Sequence, residues 1–239
     1  LRTSKNKDKA MALQLVIGNK NYSSWSMRPW VLMKQLGLPF VEKKLRFDFA
    51  PGSDYRREVA TYSPSGLVPV LLDGDLAVWD TLAIAEYLHE QFPTAGVWPA
   101  ESALRAHARS LASEMHAGFG ALRNHCPMNI EAAMPEVGAS VWAEQAEVRA
   151  NVARIEAAWA ACLQASGGPF LAGGFSALDA MFAPVCMRFI TYSLPLSQGS
   201  QAYVQRVAAA PGVQAWISDA LVEADFLDFE EPYRKSRGG

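Results

Sequence analysis

Apolar positions repeat at two different spacings along this chain, and the change of spacing divides it. In the first third, short apolar runs alternate with helical stripes. Residues 13–17 and 40–47 (FVEKKLRF) read as strands, because each is a compact β-prone run bounded by turn-forming residues. Between them Met27, Trp30, Val31 and Leu38 outline a helix that stops at Gly37. Pro29 is tolerated only near a helix start, where the first N–H groups have no intrahelical partner. The pattern therefore predicts a cap at Ser26 or a neighbour. Residues 68–79 (VPVLLDGDLAVW) hold Asp73-Gly74 between apolar runs, a hairpin signal. Ile84, Leu88 and Phe92 follow on one helical stripe, which makes the predicted order β-α-β-(α)-β-β-α.

After a turn-rich linker at residues 93–101 the spacing becomes helical throughout. Four stripes stand out, with Leu111, Met115 and Phe119 in the first, Val152, Ile155 and Trp159 in the second, Phe182, Val185 and Phe189 in the third, and Val213, Trp216 and Ile217 in the fourth. Each needs the others as a core. The expected organisation is a leader over 1–11, an α/β domain over 12–92, the linker, and an all-helical domain over 102–239.

Composition narrows the function. The chain has 239 residues, half of them hydrophobic, and a net charge of −2, so nucleic acid or an acidic membrane surface is not the expected partner. The longest uncharged apolar run, residues 180–187, is too short to span a bilayer. The opening LRTSKNKDKA has no apolar stretch and reads as a disordered leader, not a secretion signal. Three scattered cysteines form no CxxC, which leaves no zinc ribbon and suits a reducing compartment; the expected location is the cytoplasm.

Four short pieces can carry chemistry. Tyr22-Ser23-Ser24-Trp25-Ser26-Met27-Arg28-Pro29 places three hydroxyls at a helix start, where they can cap the helix or help hold an anion. Val68-Pro69 is either a trans proline opening an edge strand or a cis bond that leaves the Val68 backbone free to pair with an extended ligand. Asp80-Thr81 is either a plain cap or an ammonium- and carboxylate-gripping pair. Phe175-Ser176-Ala177-Leu178-Asp179 is a capping box with an apolar staple, a structural element.

In this order and at these separations the four pieces resemble the cytosolic glutathione S-transferase family over roughly residues 13–221. Ser23-Ser24-Trp25-Ser26-Met27-Arg28 looks like its serine-type motif, closest to the zeta-like pattern Ser-Ser-Cys-Ser-x-Arg. The resemblance implies a thioredoxin-like N-terminal domain followed by a helical-bundle domain. It places Ser23 on the catalytic position with Ser24 one residue away, Val68 on the backbone partner of glutathione, Pro69 on a cis proline, and Asp80 and Thr81 on the pair that holds the γ-glutamyl end. It also implies glutathione as co-substrate, a small electrophile as second substrate, a homodimer and no metal. Met115, His116 and Phe119 are the candidates for the second-substrate pocket. The expected activity is thiol transfer through a serine-activated thiolate. A zeta-like isomerase, a dehalogenase and a non-catalytic glutathione-binding protein are the alternatives. A thiol oxidoreductase is disfavoured because Ser23 stands where a mixed disulfide would need a cysteine. Four departures mark this chain: Asp80 is shorter than the family's usual Glu or Gln, Thr81 follows it where Ser is more common, Trp25 replaces the zeta-like Cys, and Leu67 stands where many members carry Lys.

Overall fold

A computed structural model describes residues 13–237. The leader read over residues 1–11 lies outside the described residues. Strand β1 (Gln14–Ile17) leads to helix α1 (Ser24–Gln35), strand β2 (Val41–Lys44), helix α2 (Asp54–Tyr62), strands β3 (Val70–Asp73) and β4 (Leu76–Val78), and helix α3 (Thr81–Gln91). The strands form one mixed sheet in the order β2-β1-β3-β4, with β2 parallel to β1 and the other pairs antiparallel. Strand alternation sends Leu15, Ile17 and Leu71 to the face shared with α1 and α3. Val16 and Val70 face the other way, onto Phe47, Tyr55 and Val59 around α2. Gly74, at φ 60°, closes the predicted hairpin.

Two local expectations shift. Strand β2 is shorter than residues 40–47, because β1 ends at Ile17 and only one further bond, Leu45 N–H to Ile17 C=O, continues the pairing. The cap of α1 is Ser23, so the helix starts earlier than expected and Pro29 falls in its second turn, still inside a continuous helix.

Beyond residue 100 come helices α4 (Ser102–Ala117), α5 (Gly120–His125), α6 (Pro135–Glu144), α7 (Ala146–Ser166), α8 (Ala177–Tyr192), α9 (Gln198–Ala208) and α10 (Pro211–Glu223), then a single turn at Asp228–Glu230. Every residue of α8 except Ile190 is buried, as befits a helix that is apolar all round. Its start is the predicted capping box: Ser176 Oγ accepts from Leu178 N–H, and Asp179 accepts from Ser176 N–H at 3.0 Å. No helix among the described residues is long and apolar enough to cross a membrane.

The two halves share one core and are locked by polar contacts at the loop after β1. Lys20 is buried, and its ammonium meets Glu42 at 2.7 Å and Asp219 of α10 at 2.5 Å. Glu223, at the end of α10, accepts from Lys20 N–H and from Asn19 Nδ2, each at 2.6 Å. Arg109 of α4 forks onto Glu86 of α3 in a partly solvent-exposed ion pair. Helix α10 packs on α1 through Gly212, where an added Cβ would meet Val31 O and Gln35 N at 2.9 Å. An alanine in a helix normally gains about 1 kcal/mol over glycine. Here the sign reverses: Gly212→Ala is expected to cost about 1–3 kcal/mol of overpacking and to lower the thermal midpoint in a calorimetric melt.

Candidate functional site

A cleft of about 520 Å³ opens between the two halves. One side carries Tyr22, Ser23, Ser24 and Trp25 from the start of α1, and Leu67 and Val68 from the segment before β3. The other side carries Arg123, Met128 and Arg188 from the helical domain.

The serine cluster has distinct internal roles. Ser26 Oγ accepts from Gly18 N–H at 3.1 Å and from the Ser23 hydroxyl at 2.7 Å. Ser23 Oγ in turn receives a long cap bond from Ser26 N–H at 3.4 Å. Ser24 Oγ accepts from Arg188 Nη2 at 3.3 Å. Both Ser23 and Ser24 line the cleft at the N-terminal end of α1, where the helix dipole favours an anion. Tyr22 also lines the cleft, but its hydroxyl donates to Glu231 at 2.7 Å, and burial pushes its ionisation far up. It is not an available acid or thiolate partner.

The Val68–Pro69 bond is cis, the second of the two readings left open for it. Val68 lines the cleft, and neither its N–H nor its C=O is engaged by another described residue. The Trp79–Asp80 bond is cis as well, which nothing in the residue pattern announced. Asp80 caps α3 through Leu82 N–H at 3.2 Å. Its other oxygen lies 3.2 Å from His116 Nε2, and Thr81 Oγ1 lies 3.4 Å from His116 Nδ1. His116 is thus a clasp on Asp80 and Thr81, with its ring edge-on to Trp25 at 4.9 Å. Burial lowers its pKa and the Asp80 charge offsets part of that, so near neutral pH the ring is largely unprotonated.

The expected second-substrate trio is not gathered on this cleft. Met115 is fully buried in the shared core, and Phe119, in a left-handed conformation at φ 57°, is core as well. Their helical spacing is the same whether they face a core or a ligand, so the stripe alone did not separate the two. Instead the helical wall presents Arg123 and Arg188, and Arg28 of α1 is buried near them. Arg188 is buried, and it donates through Nε to Cys126 C=O at 2.9 Å and through Nη1 to Pro184 C=O at 3.3 Å. Arg28, at 1% exposure, has all three guanidinium nitrogens without a partner among the described residues and sits 4.2 Å from the Trp25 ring. Burial, then the charges of Arg188 and Arg123, pull Arg28 down to about 9. The arginine at position 28 was visible in the serine motif; Arg123 and Arg188 reach the cleft only through folding.

The three cysteines are free and buried, and burial pushes the Cys126 thiol up to about 12 and raises the other two. None is poised as a resident thiolate.

A four-stranded mixed sheet with flanking helices, joined to a helical bundle across a serine-lined cleft, defines the class: a thioredoxin-like domain carrying an all-helical partner. The family model for the glutathione S-transferase N-terminal domain matches residues 22–91, and that for the C-terminal domain matches residues 142–219. The chain belongs to the glutathione S-transferase family. Over 68 residues, 28% of this chain and 23% of the relative, it is 37% identical to a dichloromethane dehalogenase of Methylorubrum extorquens. Over 102 residues, 43% of this chain and 47% of the relative, it is 29% identical to a probable maleylacetoacetate isomerase of Vibrio cholerae. These matches span less than half the length of either relative. A crystal structure of a glutathione transferase homolog from Burkholderia with bound glutathione superposes with a TM-score of 0.64 at 22% identity, covering 87% of this chain and 97% of that one. At that identity the likeness speaks for the fold.

Proposed function

We propose that the protein is a glutathione transferase that binds glutathione along the thioredoxin-like side of the cleft and uses Ser23 to hold its sulfur as a thiolate. The observation that carries this reading is the convergence of Ser23, Ser24 and the unpaired Val68 backbone on one cleft at the N-terminus of α1. Ser23 Oγ donates to Ser26 Oγ, which Gly18 N–H also holds in place. In this reading the Ser23 proton turns from Ser26 to the sulfur when glutathione binds. That hydrogen bond and the helix potential both favour the charged form of a thiol whose free pKa is about 8.5. The thiol proton passes to solvent, sulfur forms a bond to an electrophilic carbon, and the leaving group departs with its electron pair or the pair moves into an activated double bond. Val68 pairs with the cysteinyl backbone. Asp80 and Thr81 take the γ-glutamyl end, with Asp80 meeting the ammonium once His116 yields it.

Conjugation is the principal reading. The isomerase and dehalogenase named among the relatives mark neighbouring chemistries on the same thiolate. The assembly in this reading is a cytoplasmic homodimer, to be checked by sedimentation.

The test is a glutathione titration followed by heat and by thiolate absorbance. Wild type is expected to bind and to show the thiolate band near neutral pH; absence of binding sinks the reading. Asp80→Ala is expected to weaken binding by about 10–100-fold, since a charge-assisted contact contributes about 1.5–3 kcal/mol. An unchanged affinity would show that the γ-glutamyl end is held elsewhere.

A further inference from the structure

We propose that the helical wall of the cleft is a carboxylate-binding subsite, so that the second substrate is a small electrophile carrying a carboxylate held by Arg188 and Arg123. This names the substrate class of the same site and rests on the transferase reading above.

The charges of the cleft do not balance among the described residues. Arg28, Arg123 and Arg188 lie close enough together that each of the outer two lowers the pKa of Arg28, and none of the three forms an ion pair. Arg188 is buried and reaches the cleft beside Ser24, with its three hydrogen bonds going to two backbone carbonyls and one hydroxyl, all uncharged. A guanidinium has five N–H donors, so one remains on each terminal nitrogen. Arg123 lines the same wall and makes one long bond, to His116 C=O at 3.4 Å. The nearby acids supply little of the missing charge. Asp80 favours the charged form of Arg28, but as the smallest of the influences on it, and forms no ion pair with an arginine; Glu230, which also lines the cleft, pairs with no arginine either, and burial and Glu231 raise its pKa. Trp25 takes the Arg28 guanidinium at 4.2 Å and that of Arg123 at 5.6 Å, which offsets some repulsion through the ring but adds no counter-charge. Buried cations are normally paired, and a planar fork open toward a cleft matches a carboxylate. The place is next to Ser24, so a carboxylate held there puts the neighbouring carbon of a short electrophile near the serine-held sulfur.

The test is calorimetric titration with benzoate and with benzamide, which share a shape and differ in charge. It is run on wild type, Arg188→Gln and Arg123→Gln, with and without saturating glutathione. Wild type is expected to prefer benzoate by about tenfold or more. Arg188→Gln should abolish the preference and Arg123→Gln should reduce it severalfold. Because Arg188 is buried, its variant is checked by circular dichroism, and if it fails to fold the half-buried Arg123 decides. No preference in wild type, or a preference that survives Arg123→Gln and a folded Arg188→Gln, overturns the subsite. So does competition between benzoate and glutathione, since the arginines would then hold glutathione's own carboxylates. Glutathione affinity is read separately in the same runs. Its absence beside an intact benzoate preference would sink the transferase reading and leave the subsite standing.

Discussion

Ser23→Ala is expected to raise the apparent pKa of bound glutathione by about one to two units, or about 1.4–2.7 kcal/mol of lost thiolate stabilisation. The measurement is thiolate absorbance against pH at saturating glutathione. The loss should be about 10–100-fold in single-turnover conjugation at pH values near 6.5, where the thiolate is scarce without help. It should vanish above roughly pH 9.5, where even an unassisted thiol is ionised. Glutathione affinity should change little, since Val68 and Asp80 hold the rest of the molecule in this reading. Ser23 also caps α1, so the variant should lose about 1 kcal/mol of stability, and the melt separates that from the thiol effect. Ser24→Ala removes a hydroxyl that already accepts from Arg188, and a smaller pKa rise is expected. If neither variant moves the bound thiol, the serine does not activate it.

The second large effect is on folding. Asp179→Ala is expected to destabilise the protein by about 3–5 kcal/mol in denaturant melts. Asp179 is fully buried and accepts from Leu171 N–H at 3.0 Å, Ser176 N–H at 3.0 Å and the Tyr203 hydroxyl at 2.9 Å. Truncation strands all three donors in the core. Burial, partly opposed by these bonds, raises the Asp179 pKa from 3.8 to about 6. The folded state therefore holds this proton more tightly than the unfolded state between those values. Its contribution to stability grows as pH falls through that window and is lost as pH rises through about 6. Asp179→Asn cannot titrate, and the corresponding slope should disappear from a stability-versus-pH curve. A slope unchanged in the Asn variant would place the titration elsewhere.

Much of this was legible in local spacing. The strand of residues 13–17, the Asp73-Gly74 turn and the Ser176…Asp179 box each encode their conformation within a few neighbouring residues, so pattern alone was enough. Ser23 and Ser24 were legible because hydroxyls crowd a helix start. What stayed hidden depends on distant residues. Whether Ser23 or Ser26 caps α1 is decided by Gly18 engaging Ser26. His116 clasps Asp80 across 36 positions of chain, and Arg188 meets Ser24 across 164. Met115 kept the helical spacing of a ligand-facing residue yet fell into the core, since a stripe does not say which side of a bundle is empty.

The loop between β1 and α1 has a consequence for how such a protein can be recombined. Almost every residue from Asn19 to Ser24 is held by the later half of the chain: Asn19 and Lys20 by Glu223, Asn21 by Asn129, Tyr22 by Glu231, and Ser24 by Arg188. The placement of the serines is therefore written in both halves. A graft of residues 13–92 onto the helical half of a relative would inherit the strands and the hairpin but not the aim of its hydroxyls. Shuffling of halves should yield folded hybrids with displaced chemistry unless those later partners travel together with the loop.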